Sequence, residues 1–225
     1  MHIEPGVVTG AKILLSYATA AGAGAYGMKL GWEALRERGA VSLVARSAIA
    51  TAAVFTFFEV LPHYPVGVSE VHLILGSTLF LILGAAPAAF GLALGLLLQG
   101  LLVAPFDLPQ YGMNLTTLLV PLFALQALAH RIIAPGTAYV DLEYRQALAL
   151  STAYQGGVVI WVAFWAIYGH GVSVGNLAAI SAFGGAYMLV ILLEPLVDLA
   201  VLGAAKGARG LARTGLVTPR LFAAA

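Results

Sequence analysis

The stretch VVTGAKILLSYATAAGAGAYGMKL, Val7 to Leu30, decides the fold. It is apolar over a length that crosses a bilayer core, which takes ~20 residues. It ends in Trp32 and the charged residues Glu33, Arg36, Glu37 and Arg38. A secretory leader is the competing reading, because Ala18 to Ala25 offers small residues for cleavage. A leader also carries a basic stretch ahead of its apolar core. Here Glu4 comes first and Lys12 already lies inside the run. The run therefore reads as a retained helix.

The rest of the chain repeats this pattern. Of 225 residues, 61% are apolar and 9% are charged, and the mean hydropathy is +0.95. These values describe a polytopic membrane protein rather than a soluble domain. Further spans are expected at about Val41 to Val60, His72 to Leu83, Ala88 to Val103, Leu115 to Ile133, Ala147 to Tyr168 and Val174 to Leu202. Breaks fall at Pro62, Pro65 and Gly67, at Gly84 and Pro87, at Pro105 and Pro109, and at Gly169 and Gly171. The expectation is an all-α bundle of about seven transmembrane helices. Residues 1–205 form one membrane domain, and residues 206–225 form a basic tail with Lys206, Arg209, Arg213 and Arg220. A net charge of +1 gives no footprint for nucleic acid, and with no cysteine there is neither a disulfide nor a thiolate site. No GxxxxGK[ST] loop occurs, so any use of ATP belongs to another polypeptide.

Lysine and arginine orient the bundle, because short cytoplasmic loops hold the excess positive charge. Arg36, Arg38 and Arg46 flank the first link, Arg131 and Arg145 flank the link before the sixth span, and the tail is basic. The alternate loops, Pro62 to Glu70, Pro105 to Tyr111 and Gly169 to Ser173, contain neither residue. The N-terminus is therefore expected outside and the C-terminus in the cytoplasm. This arrangement gathers His2, His63, His72, Asp107 and Asn114 at or near the outer face.

The start Met1-His2-Ile3-Glu4-Pro5-Gly6 has chelating chemistry. A bulky second residue protects Met1 from removal, so a free α-amine is expected beside the amide and Nδ1 of His2. Those three nitrogens close two small chelate rings in one plane, and one further imidazole completes a square. Such sites suit Ni(II) or Cu(II) better than Zn(II), which prefers a tetrahedron. By itself a histidine after the start residue is unremarkable. His72, at the mouth of the third span, needs a polar partner or water, and alone it reads as a packed or interfacial histidine. The chelating start and the polar run Tyr111-Gly112-Met113-Asn114 on the same side raise the metal reading. Asn114 is placed to hold an imidazole or the N-terminal loop. Gln99 is a second candidate for that role, or else bonds helix to helix.

Taken together, Met1-His2-Ile3 with Gly6, the loop Pro65 to His72, the string Leu98-Gln99-Gly100-Leu101-Leu102 and an outer loop ending in Asn114 resemble a known family. It is the CbiM/NikM kind, the membrane-embedded substrate-binding component of energy-coupling-factor cobalt and nickel transporters. The match covers the first half of the chain; beyond about Leu118 only hydropathy and span count correspond. The resemblance implies a bundle whose N-terminus folds back inside to bind Co(II) or Ni(II). Its ligands would be the amine of Met1, the amide and imidazole of His2, and His72. Ser69 stands near the serine or threonine that precedes the family's loop histidine. Also implied are a transmembrane coupling subunit, ATP-binding-cassette ATPases and the cytoplasmic (inner) membrane of a prokaryote. The family usually reads Met-His-Ile-Met-Glu-Gly, whereas this chain has Glu4-Pro5, and proline removes a donor and restricts the residue before it. Pro105 and Pro109 also replace a glycine-rich stretch.

Other residues carry paired readings. His63 is a capture site or a solvated loop residue, His170 is a loop residue, and His130-Arg131 snorkels at the inner interface. Glu194 bonds a neighbouring helix or meets a partner subunit, because a carboxylate within a span is costly unless paired or wet. Lys12 and Lys29 are its candidate mates, or snorkel. Ala18, Gly22 and Ala25 form a stripe of small residues that serves internal packing or docks the coupling subunit. The competing functions are thus a metal-specificity subunit and a metal-free accessory subunit that keeps the fold. An enzyme is not expected, since no nucleophile stands with a base at helical spacing and HExxH is absent.

Overall fold

The protein is described here from a computed structural model covering residues 3–207 and 217–218. Met1 and His2 lie outside the described residues, as does most of the tail. Five helices among the described residues are long and apolar enough to cross a membrane: Gly10–Glu59, Ala85–Leu102, Pro105–Ile132, Tyr144–His170 and Val174–Ala204.

The first of these corrects the expected loop between the first two spans. α1 (Ile13–Glu59) stays helical on both sides of Gly39, where φ is 80° and ψ is 168°. Glycine alone takes that conformation without strain, and the chain reverses there. α3 (Ala85–Leu102) shows the reversal. Before Gly39, Gly31 lies against the Phe90 ring, and Leu30 and Ala34 pack on Ala86. After Gly39, Gly91 abuts Ala50 and Gly95 abuts Val54, so the second limb runs in step with α3. A Cβ on Gly91 would sit 2.3 Å from that of Ala50. The contact is of the small-residue kind by which helices associate in lipid.

The expected third span, His72 to Leu83, is not one helix. The hairpin β1 (Tyr64–Val66) with β2 (Ser69–Val71) leads into extended chain, and α2 (Gly76–Leu83) has only eight residues. At 1.5 Å per residue it is ~12 Å long, less than half of a hydrocarbon core. Leu75, with φ of 52°, turns the chain into it. Arg46, although buried, donates from Nη1 to the Leu83 carbonyl at 2.7 Å and so satisfies an acceptor at the end of α2.

α4 (Tyr111–Ile132), α5 (Tyr144–His170) and α6 (Val174–Gly207) complete the bundle. One end collects the N-terminal segment, the hairpin, the 3-10 turn Pro105–Gln110 and the α5–α6 turn. Gly67 there approaches the Ala179 carbonyl so closely that a Cβ would lie 2.1 Å from its oxygen. At the other end Val217 and Thr218 return to the bundle. The Thr218 amide donates to the Ile82 carbonyl at 2.8 Å, and Arg38 reaches the Val217 carbonyl at 3.3 Å. At these two positions the expected separate tail is packed against the membrane domain.

Candidate metal site

The Glu4-Pro5 departure produces a defined turn. The Val7 amide donates to the Glu4 carbonyl at 3.1 Å, with Pro5 and then Gly6 (φ 94°) between them. Proline followed by a positive-φ glycine is the residue pair of a type II turn. On one side of it Val7 and Val8 are buried; on the other Ile3 is 1% exposed. Ile3 therefore lies inside the protein.

Two partners hold it there. The Ile3 amide donates to Asn114 Oδ1 at 2.8 Å, and Ile3 forms an antiparallel bridge with Ser69. The Glu4 amide adds a bond to the Val68 carbonyl at 3.3 Å. Stranding the buried Ile3 donor would cost about 1–3 kcal/mol, so Asn114 is a specific anchor for the N-terminal segment. Ser69, fully buried, acts by extending the hairpin to Ile3. Gln99 is buried beside Asn114 and lines the same small cavity with Asp107, but its Oε1 has no partner among the described residues.

His72 follows β2 directly and is 2% exposed. Its Nε2 lies 2.9 Å from Glu70 Oε2, and its carbonyl accepts from the Tyr187 hydroxyl at 3.2 Å. Its ring stacks on His63 with centroids 5.1 Å apart and meets Phe58 at 5.3 Å. The sequence reading assigned no role to Glu70, although in extended chain residues 70 and 72 share a face. Period two was the available signal. His63 is exposed, yet it covers the His72 ring rather than standing free in a loop. Glu4 borders the same region, and burial, followed by the charge of Glu70, raises its carboxyl above the usual range. A carboxylate on an imidazole nitrogen fixes tautomer and ring orientation, as in many metal centres. Among the described residues no three histidine, aspartate or glutamate side chains converge to hold an ion. Met1 and His2, the other expected ligands, fall outside them.

The sequence profile of the family described as CbiM, cobalt uptake substrate-specific transmembrane region, matches residues 2–210. The chain belongs to the CbiM family. A crystal structure of a truncated transition metal transporter superposes on this CbiM-family chain with a TM-score of 0.69 at 18% identity, covering 91% of this chain and 99% of its own. A second crystal structure, of a transition metal transporter, gives 0.60 at 19% identity over 92% and 94%. Comparison with curated proteins finds no match. This CbiM-family chain is a multi-pass membrane component of metal uptake.

The remaining site residues divide clearly. Ala18, Gly22 and Ala25 are all exposed, and a Cβ on Gly22 would meet nothing within 4 Å. They are not packed inside this chain. Gly31, further along the same limb, is the one against Phe90. Glu194 is fully buried and bonds within the chain, to the Leu75 amide at 2.9 Å and the Ser151 hydroxyl at 3.2 Å. Neither lysine is its mate. Lys12 donates to the Tyr168 and Gly169 carbonyls at 2.9 and 3.0 Å, where a cation suits the C-terminal end of α5. Lys29 faces Glu33 at 3.8 Å on an exposed surface. His170 reaches the Gly6 carbonyl at 3.4 Å.

Proposed function

We propose that this chain is the substrate-specificity subunit of an energy-coupling-factor transporter for Co(II) or Ni(II). The ion is the cargo, held by the amine of Met1, the amide and imidazole of His2, and His72. One observation carries the reading: Asn114 and Ser69 fix Ile3 deep in the bundle, beside the segment that ends in His72. In the proposed site the two preceding residues bring their nitrogens to that ring. Glu70 on Nε2 favours the tautomer whose lone pair is on Nδ1, which would face the ion. The deciding experiment is metal analysis of purified chain with an untouched N-terminus. About one cobalt or nickel per chain is expected; metal-free protein that takes up neither ion would favour the accessory-subunit reading.

The basic residues support an orientation with this site on the outer side. Counting each limb of α1 and the 72–83 segment as one pass gives seven passes, with the C-terminus in the cytoplasm. A reporter active only in the cytoplasm, fused after Ala225, should be active, and silence there overturns the orientation.

For the coupling subunit, the exposed stripe Ala18, Gly22 and Ala25 is the proposed docking face, and the ATPases would act through that subunit. Gly22→Leu should weaken co-purification with the coupling subunit yet leave the isolated chain folded and metal-binding, because the new side chain meets open space. Unchanged co-purification, or loss of metal binding by the isolated variant, would remove the stripe as a docking face.

A further inference from the structure

α6 carries Tyr187, Glu194 and Asp198 at spacings of seven and four, which place them on one helix face. All three are buried, and each reaches the broken third segment. Tyr187 bonds the His72 carbonyl, Glu194 accepts from the Leu75 amide, and Asp198 accepts from the Thr78 hydroxyl. Seven residues of helix separate Tyr187 from Glu194, so the carboxyl lies ~10 Å further along α6 than the His72 carbonyl.

Ionisable groups inside a membrane bundle mark ion or proton paths unless structure accounts for them fully. Here it does not. Gln155 follows Ser151 by one helical turn, is fully buried, and sets its carboxamide beside the Glu194 carboxyl. It comes within hydrogen-bonding reach of that carboxyl, and its Oε1 has no partner among the described residues. Asp198 Oδ2 is likewise without one. Buried polar atoms ordinarily have partners, and orphans ask for a ligand, ion or water. The donors available are two carboxyls, an amide oxygen and the Ser151 hydroxyl, all of them oxygen. Such a set suits divalent ions of the Mg, Ca and Mn type and binds nickel or cobalt without the grip of a nitrogen square.

We propose that Glu194, Ser151 and Gln155, with Asp198 one turn further, form an inner oxygen-lined station where the divalent cargo rests after leaving the outer nitrogen ligands. The inference builds on the transport reading above. A tight nitrogen site followed by a weaker oxygen site would let an ion move inward without a second strong trap. Tyr187 and Glu194 hold either end of residues 72–75, at the His72 carbonyl and the Leu75 amide.

Manganese(II) separates the two sites, since oxygen donors suit it and a square of nitrogens does not. Full-length chain in detergent is titrated with Mn(II) and free ion is read by electron paramagnetic resonance. Wild type and His72→Ala should bind Mn(II) alike, while Glu194→Gln should bind it at least about tenfold more weakly. Glutamine still accepts from the Leu75 amide, so the fold should hold, and unaltered thermal unfolding checks this. Gln155→Met, which keeps both carboxyls, should also weaken binding. The station is overturned if wild type takes up no Mn(II), if both variants bind as wild type does, or if His72→Ala removes Mn(II) binding. Nickel or cobalt uptake by His72→Ala, measured in parallel, reports separately on the outer site.

Discussion

A single residue added before Met1 is expected to abolish cobalt or nickel binding, while a tag after Ala225 leaves it intact. The extension converts the α-amine into an amide and moves the terminal nitrogen one residue away. An amide surrenders its proton far less readily than an ammonium, so the His2 amide becomes a ligand only when an amine beside it anchors the ion. Without the anchor both chelate rings open, and two separate imidazoles remain. A loss of about a hundredfold or more in affinity is expected, equivalent to ~2.8 kcal/mol. Fold should be unaffected by the chemistry itself, because Ile3 keeps its bonds to Asn114 and Ser69. An extended chain that binds nickel or cobalt normally defeats the proposed site. So does a mature chain that begins beyond Ala20, since it would lack His2.

Acid should weaken binding in the intact chain for a related reason. Every ligand must shed a proton to bind. Free amines titrate near 7.7–8.0 and unperturbed imidazoles near 6.5. Affinity is therefore expected to fall steeply as pH drops through roughly that range, and to rise more gently above it, because the His2 amide still gives up a proton on binding.

The membrane bundle was readable because hydropathy is a local signal that survives any packing. The convergence of residues 3, 69, 72 and 114 at one end followed from span parity. What stayed hidden depends on distant partners. Gly39 carries no local mark separating a turn inside a helix from a loop, and only the two opposed contacts with α3 reveal the reversal. Likewise His72 to Leu83 has the composition of a span, but Tyr187 and Glu194 supply the bonds that let residues 72–75 stay unwound. A side chain that satisfies backbone from another helix leaves no trace in the sequence around the break. Glu70 was the exception: its period-two relation to His72 was visible once the segment is taken as extended rather than helical. The partners of Lys12 were hidden for a similar reason, since the carbonyls it caps lie at the far end of α5.

His72→Ala should remove the fourth nitrogen and weaken nickel or cobalt retention beyond the roughly 10–100-fold that follows loss of an outer-sphere partner. The ring is buried, stacks on His63 and meets Phe58 at a tilt, so alanine also leaves space behind. That raises the question of whether any loss reflects binding or collapse. His72→Phe answers it, because a ring of similar shape keeps the stacking but offers no nitrogen. Both variants should lose metal, with the phenylalanine form retaining the thermal stability of metal-free wild type. Asn114→Ala acts differently, by releasing the Ile3 amide and the chain start with it. Its loss should fall within about 10–100-fold, since every ligand remains and only their placement loosens. His170→Ala, whose contact is a 3.4 Å approach to the Gly6 carbonyl on the far side of the turn, should change little. The order His72 first, Asn114 second and His170 last follows from one geometry: a ligand, the anchor of the ligands, and a neighbour of neither. Equal losses at His72 and His170, or none at His72, would mean that the chain start does not bring its nitrogens to this ring.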